Sequence, residues 1–89
     1  IATFNDYLAL GAMKAIFERN MKIPDDIAIV GYDDIEFASL SIVPLTTIRL
    51  PKYLLGSKTA GLLLAKMTKK GTKFQSILLK PELVVRDST

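Results

Sequence analysis

The chain has no cysteine and no histidine. Those two absences exclude disulfide staples, thiolate nucleophiles, structural Cys/His zinc and imidazole acid–base catalysis. Long apolar runs are also missing. Residues 62–65 fall far short of the roughly 20 apolar residues that a membrane-spanning helix needs, and nothing near Ile1 has the basic start and cleavage site of a signal peptide. Charge is only mildly one-sided: twelve Lys and Arg against nine Asp and Glu leave +3. The excess lies late, in Lys66, Lys69, Lys70, Lys73 and Lys80. Without an aromatic ladder beside them, these lysines read as a solvated helix end, where cations complement the helix dipole, and not as a nucleic-acid surface. At 89 residues there is room for one modest core. No internal repeat or low-complexity segment is present.

What is there centres on residues 27–34: four apolar residues, then Gly31, Tyr32 and the adjacent carboxylates Asp33 and Asp34. An uninterrupted apolar run between helical patterns suits a parallel strand covered on both faces, and open α/β sheets bind ligands beyond the carboxyl ends of such strands. Asp33 and Asp34 therefore stand where a site is expected.

In chain order, residues 1–4 are already strand-like, with no leading turn, so the chain is expected to be a piece of a longer protein. Asn5 and Asp6 supply a helix cap, residues 7–19 a helix, and Asn20 a left-handed stop. Ala9, Ala12, Met13, Ile16 and Phe17 form the core-facing stripe, with Leu10 at its edge. Residues 22–26 make a turn into the strand at 27, completing a βαβ unit. Residues 35–40 suit a short helix, which Asp34 is expected to cap, and residues 45–50 a strand bounded by Pro44 and Pro51. Residues 52–69 read as a helix with apolar groups on two sides, implying burial on both, and Lys70, Gly71 and Thr72 as its end. Residues 75–79 and 83–86 read as strands separated by Pro81.

These pieces resemble the effector-binding domain of the bacterial lactose and galactose repressor family. The resemblance is carried by an ordered series: Asn5-Asp6 with Ala9-Leu10-Gly11-Ala12, Ile23-Pro24-Asp25-Asp26-Ile27, Val30-Gly31-Tyr32-Asp33-Asp34, Pro44-Leu45-Thr46-Thr47-Ile48 and Pro51. Gly56, Ala60, Leu63-Leu64, Pro81, Leu83-Val84, Arg86 and Ser88-Thr89 continue it to the end of the chain. The fold it implies is α/β: a Rossmann-like parallel sheet, part of a type I periplasmic-binding-protein-like fold with pieces of both lobes. Residues from about 1 to 48 and from 82 to 89 would belong to the C-terminal lobe, and about 52 to 79 to the N-terminal lobe. Arg49, Leu50, Pro51, Lys80 and Pro81 would then form the hinge crossings.

The function implied is sensing of a small molecule, a sugar or a nucleoside-like compound, by a cytoplasmic, dimeric, DNA-binding transcriptional regulator. Operator DNA would be read through a separate N-terminal headpiece, and neither cofactor, metal nor membrane is called for. The family's effector contacts carry over onto Asn5 and Asp33. An ionised carboxylate accepts two hydrogens at once and an amide both donates and accepts, which suits a polyol or a base edge; Asn5 is equally suited to capping the helix. Leu10, Phe37 and Leu40 are the expected dimer contacts. Two positions depart from the family: Leu50 stands where glutamine is frequent and Lys52 where an aromatic can stand. The alternative function is a fragment of a periplasmic sugar-binding protein of a transport system. Adjacent carboxylates after a strand also resemble the phospho-accepting pocket of receiver domains, but that pocket needs acidic residues from two strands, which this chain lacks. No catalytic set is recognisable, and the chain is read as a non-enzyme.

Overall fold

The computed structural model describes residues 1–69 and 73–89 of the chain. Its elements are α1 (Asp6–Phe17), α2 (Glu36–Leu40), β1 (Thr47–Arg49), α3 (Lys52–Thr68) and β2 (Glu82–Val84). They fall into two compact units, one of residues 1–49 with 82–89 and the other of residues 50–81. Among the described residues no helix is long and apolar enough to cross a membrane.

In the first unit, α1 begins where the Asn5 side chain accepts from the Leu8 N–H at 2.9 Å, meeting one of the unpaired donors of a helix start. It ends at Asn20, whose φ of 55° turns the chain so that the Asn20 and Met21 N–H groups close back on Phe17 O (2.9 Å) and Ile16 O (3.2 Å). That is a Schellman closure with asparagine in the position glycine usually takes. The inward face of α1 puts Ala9, Met13 and Ile16 into a core completed by Ile23, Ile29, Ala38 and Leu45. Each large aliphatic side chain there contributes about 1.5–3 kcal/mol on burial.

The sheet is mixed where a parallel one is expected. Ala2 and Thr46 flank Val30 in parallel bridges, while β2 runs antiparallel to β1, with Thr47 opposite Val84 and Arg49 opposite Glu82. The returning tail thus closes the parallel core with an antiparallel edge strand, a frequent feature of such sheets. Residues 27–30 are extended but covered unevenly: Ile29 is fully buried and Ala28 exposed. Ile27 and Ile29, two positions apart and so on one face, are the residues of this run that meet the core.

Ser88 fixes the tail inside this unit. Its hydroxyl donates to Ile29 O (2.6 Å) and accepts from Thr46 N–H (2.8 Å), while its own backbone bonds Pro44 O (3.0 Å) and Ile29 N–H (2.9 Å). Thr46 Oγ1 adds a bond from the Arg86 N–H at 2.8 Å. A buried serine with both hydroxyl functions and both backbone groups used sits where the Ile29 and Leu45 segments need bridging.

The described residues of the second unit are α3 and irregular chain on either side of it. The two apolar sides of α3 do not translate into burial: none of its residues is buried, and among the described residues of this unit no strand lies against them. Residues 75–79 are not a strand: among the described residues of this unit no strand offers an edge that would turn their β-pattern into a ladder. Phe74 instead offers its ring face to Lys66 Nζ, 2.8 Å from the centroid. The expected helix end at Lys70, Gly71 and Thr72 lies outside the described residues.

Candidate functional site

The carboxyl ends of the segments ending at Phe4 and Tyr32 open into a cleft of about 520 Å³ lined by Thr3, Phe4, Asn5, Tyr32 and Asp33. The two segments are held side by side by Thr3 N–H to Val30 O and Asp6 N–H to Tyr32 O, both 2.9 Å. Asn5 and Asp33, on separate segments, are thereby brought to one cleft. Asn5 does cap α1 through Oδ1, and among the described residues its amide nitrogen has no partner, so a donor stays available to the cleft. The Asp33 carboxylate likewise carries no hydrogen bond or ion pair among the described residues.

Phe4 and Tyr32, 85% and 39% exposed, flank these polar groups. Sequence reasoning did not single them out as site residues. The signal was present: each aromatic immediately precedes a polar residue at a strand end, Phe4 before Asn5 and Tyr32 before Asp33. A donor, a carboxylate acceptor and two exposed aromatic faces together can hold a ring bearing hydroxyls or a heterocycle.

The backbone at this rim is unusual. Asp33 and Asp34 have φ of 110° and 49°, and non-glycine residues at positive φ need support from their surroundings. Asp33 is held by its N–H to Ile48 O at 2.9 Å. Asp34 is not a helix cap. α2 has no side-chain cap of its own; instead the Ile35 N–H donates to Asp6 Oδ2 at 2.8 Å. The left-handed turn points the Asp34 carboxylate away from α2 and towards two arginines, Arg49 Nε at 2.6 Å and Arg86 Nη2 at 2.8 Å. Burial pushes the Asp34 carboxyl up, but hydrogen bonds from Arg49 and Arg86 and their positive charge override it and hold it below its ordinary value. The same bond to Asp34 raises Arg49.

Beneath the rim lies Asp6, a residue that reads as a first-turn helix acid but is fully buried. Its Oδ1 accepts from Thr47 Oγ1 at 2.6 Å. Gly31 is required here by close approach: a Cβ on it would fall on Asp6 Oδ1 and lie 2.8 Å from Leu45 Cδ2.

The other expected positions lie elsewhere. Leu10 packs partly against the core and lines a separate groove with Met13, Phe17 and Ile42. Phe37 and Leu40 on α2 are 59% and 70% exposed. Arg49 ends β1 and also approaches Glu82 at 3.7 Å. Leu50, Pro51, Lys80 and Pro81 lie at the ends of the second unit, with Pro51 at the N-cap of α3. Among the described residues no group of three or more His, Cys, Asp or Glu could hold a metal ion.

The family model described as a periplasmic binding protein-like domain matches residues 1–89. Among curated proteins, the chain is 44% identical over 84 residues to the HTH-type transcriptional repressor PurR of Histophilus somni (strain 2336), covering 94% of this chain and 25% of the repressor. Among solved structures, it is similar to the Lac repressor dimer bound to operator and the anti-inducer ONPF, with TM-score 0.87, 42% identity and 99% of this chain covered against 30% of that one. It is also similar to a LacI family transcriptional regulator from Enterococcus faecium with bound ribose, with TM-score 0.87, 33% identity and 99% of this chain covered against 33% of that one. The chain thus spans a quarter to a third of the length of these proteins. With the mixed sheet, the strand-end cleft and a match over its whole length, the chain belongs to the periplasmic binding protein-like domain family.

Proposed function

We propose that the chain is the small-molecule-sensing and dimerising part of a bacterial DNA-binding transcriptional regulator, acting in the cytoplasm and without catalysis. The observation that carries this reading is the cleft in which the Asn5 amide and the Asp33 carboxylate have free hydrogen-bonding capacity beside Phe4 and Tyr32. Asp33 accepts from ligand hydroxyl or N–H groups, Asn5 donates to a ligand oxygen or ring nitrogen, and the aromatic faces cover the ring. A sugar satisfies this set best, and a nucleoside-like compound is the other member of the class. The repressor relatives support a regulator over the alternative of a transport-system binding protein.

In this reading residues from about 1 to 48 and 82 to 89 are the C-terminal lobe, and about 52 to 79 belong to the N-terminal lobe. The hinge is Arg49, Leu50 and Pro51 on one crossing and Lys80 and Pro81 on the other. Effector binding shifts the population of two hinge states, which requires different affinity for each. Leu10, Phe37 and Leu40 contribute to the homodimer contact, and operator DNA is bound by a headpiece outside this chain. The test is a thermal-shift screen of the full-length regulator against a panel of pentoses, hexoses, disaccharides, purines and nucleosides, followed by operator binding with and without the hit. A hit raises Tm by mass action and changes operator affinity. A panel that leaves both unchanged contradicts the reading.

A further inference from the structure

We propose that Asp34 is a positioning residue: its carboxylate, gripped by Arg49 and Arg86, fixes the left-handed turn that presents Asp33 to the cleft. The inference rests on the reading of Asp33 as an effector contact. At 110° the φ of Asp33 lies outside the small left-handed well that asparagine and aspartate tolerate, and Asp34 follows at 49°. Two successive residues of this kind relax to ordinary backbone unless something beyond them holds the turn.

The local tethers are few. Among the described residues Asp33 has one backbone bond, to Ile48 O at 2.9 Å, and the Asp34 N–H reaches Thr47 Oγ1 only at 3.3 Å. The Asp34 side chain supplies the rest: Oδ2 to Arg49 Nε at 2.6 Å and Oδ1 to Arg86 Nη2 at 2.8 Å. Arg86 is the more rigid arm, because its Nη1 is itself fixed on Leu45 O at 2.9 Å and its side chain is largely covered, unlike that of Arg49. Charge-assisted bonds on both oxygens of a mostly covered carboxylate are strong and directional. They tie the turn to the end of β1 on one side and to the segment after β2 on the other, so Asp33 inherits its direction from a residue that does not line the cleft.

The experiment follows the Asp33 amide in the full-length regulator labelled with 15N-aspartate and 15N-leucine, without effector. In Asp34→Asn the Asp33 amide shifts and its exchange protection falls by about tenfold, as expected for losing a charged hydrogen-bond partner. The Leu8 amide, on the Asn5 cap, stays where it is. Arg49→Gln and Arg86→Lys each give a partial version, and they carry the test if Asp34→Asn fails to fold. An unmoved Asp33 amide in the folded variants, or equal losses at Asp33 and Leu8 as a purely stabilising role would give, overturns the proposal. Because no effector is used, this result is independent of whether Asp33 binds one.

Discussion

Thr47 donates its hydroxyl hydrogen to Asp6 Oδ1 across 2.6 Å, and both residues are completely buried. The pair links the start of α1 to β1, and the second oxygen of Asp6 holds the Ile35 N–H at the start of α2. Three elements therefore meet at one carboxylate directly beneath the cleft. Thr47→Val keeps the shape and removes the donor, leaving Asp6 Oδ1 buried without its partner. The expected cost is about 1–3 kcal/mol, read as a lower urea midpoint with unchanged m-value.

Asn5 has two jobs that one substitution separates. Asn5→Asp keeps an oxygen for the Leu8 N–H and adds a charge that the helix dipole favours, so stability is held within about 0.5 kcal/mol. It removes the amide donor, and effector affinity should fall about tenfold, the cost of one lost hydrogen bond. Asn5→Ala loses both affinity and about 1 kcal/mol of stability. Thermal melts and effector titrations on the same samples distinguish the two patterns.

Much of this architecture is local and could be read from the chain. The Asn5 cap, the Asn20 stop, the α1 stripe and the short α2 depend on neighbours within a few positions, where capping and periodicity act. The features that escaped depend on distant partners. Asp34 precedes a helix and so reads as its cap, but Arg86 lies 52 positions away and turns it aside. Asp6 reads as a helix-start acid until Thr47, 41 positions on, draws it inward. Ser88 bonds Ile29 across 59 positions. Residues 75–79 failed as a strand for the converse reason, since a β-pattern is only a capacity to pair and needs an edge. Gly31 was the one local clue to the buried carboxylate, because a glycine closing an apolar strand run signals close approach.

The Asp34 grip has a pH signature. Its folded pKa is depressed, so the stabilisation it gives is fully present above its unfolded value near 4 and is lost as pH falls through the lower folded value. Asp34→Asn carries no such charge at any pH. The stability gap between the native protein and this variant should be widest at neutral pH and narrow below about pH 4. Urea midpoints across that range check it, and a constant gap contradicts it.

The central claim is that Asp33 receives the effector, and calorimetric titration of the full-length regulator and its Asp33→Ala variant with the compound found in the screen tests it most directly. Removing a carboxylate that accepts two hydrogen bonds from a bound ligand should weaken binding by about a hundredfold, corresponding to roughly 3 kcal/mol, while the thermal stability of the effector-free protein stays near its original value. Equal affinity in the two proteins would contradict the account.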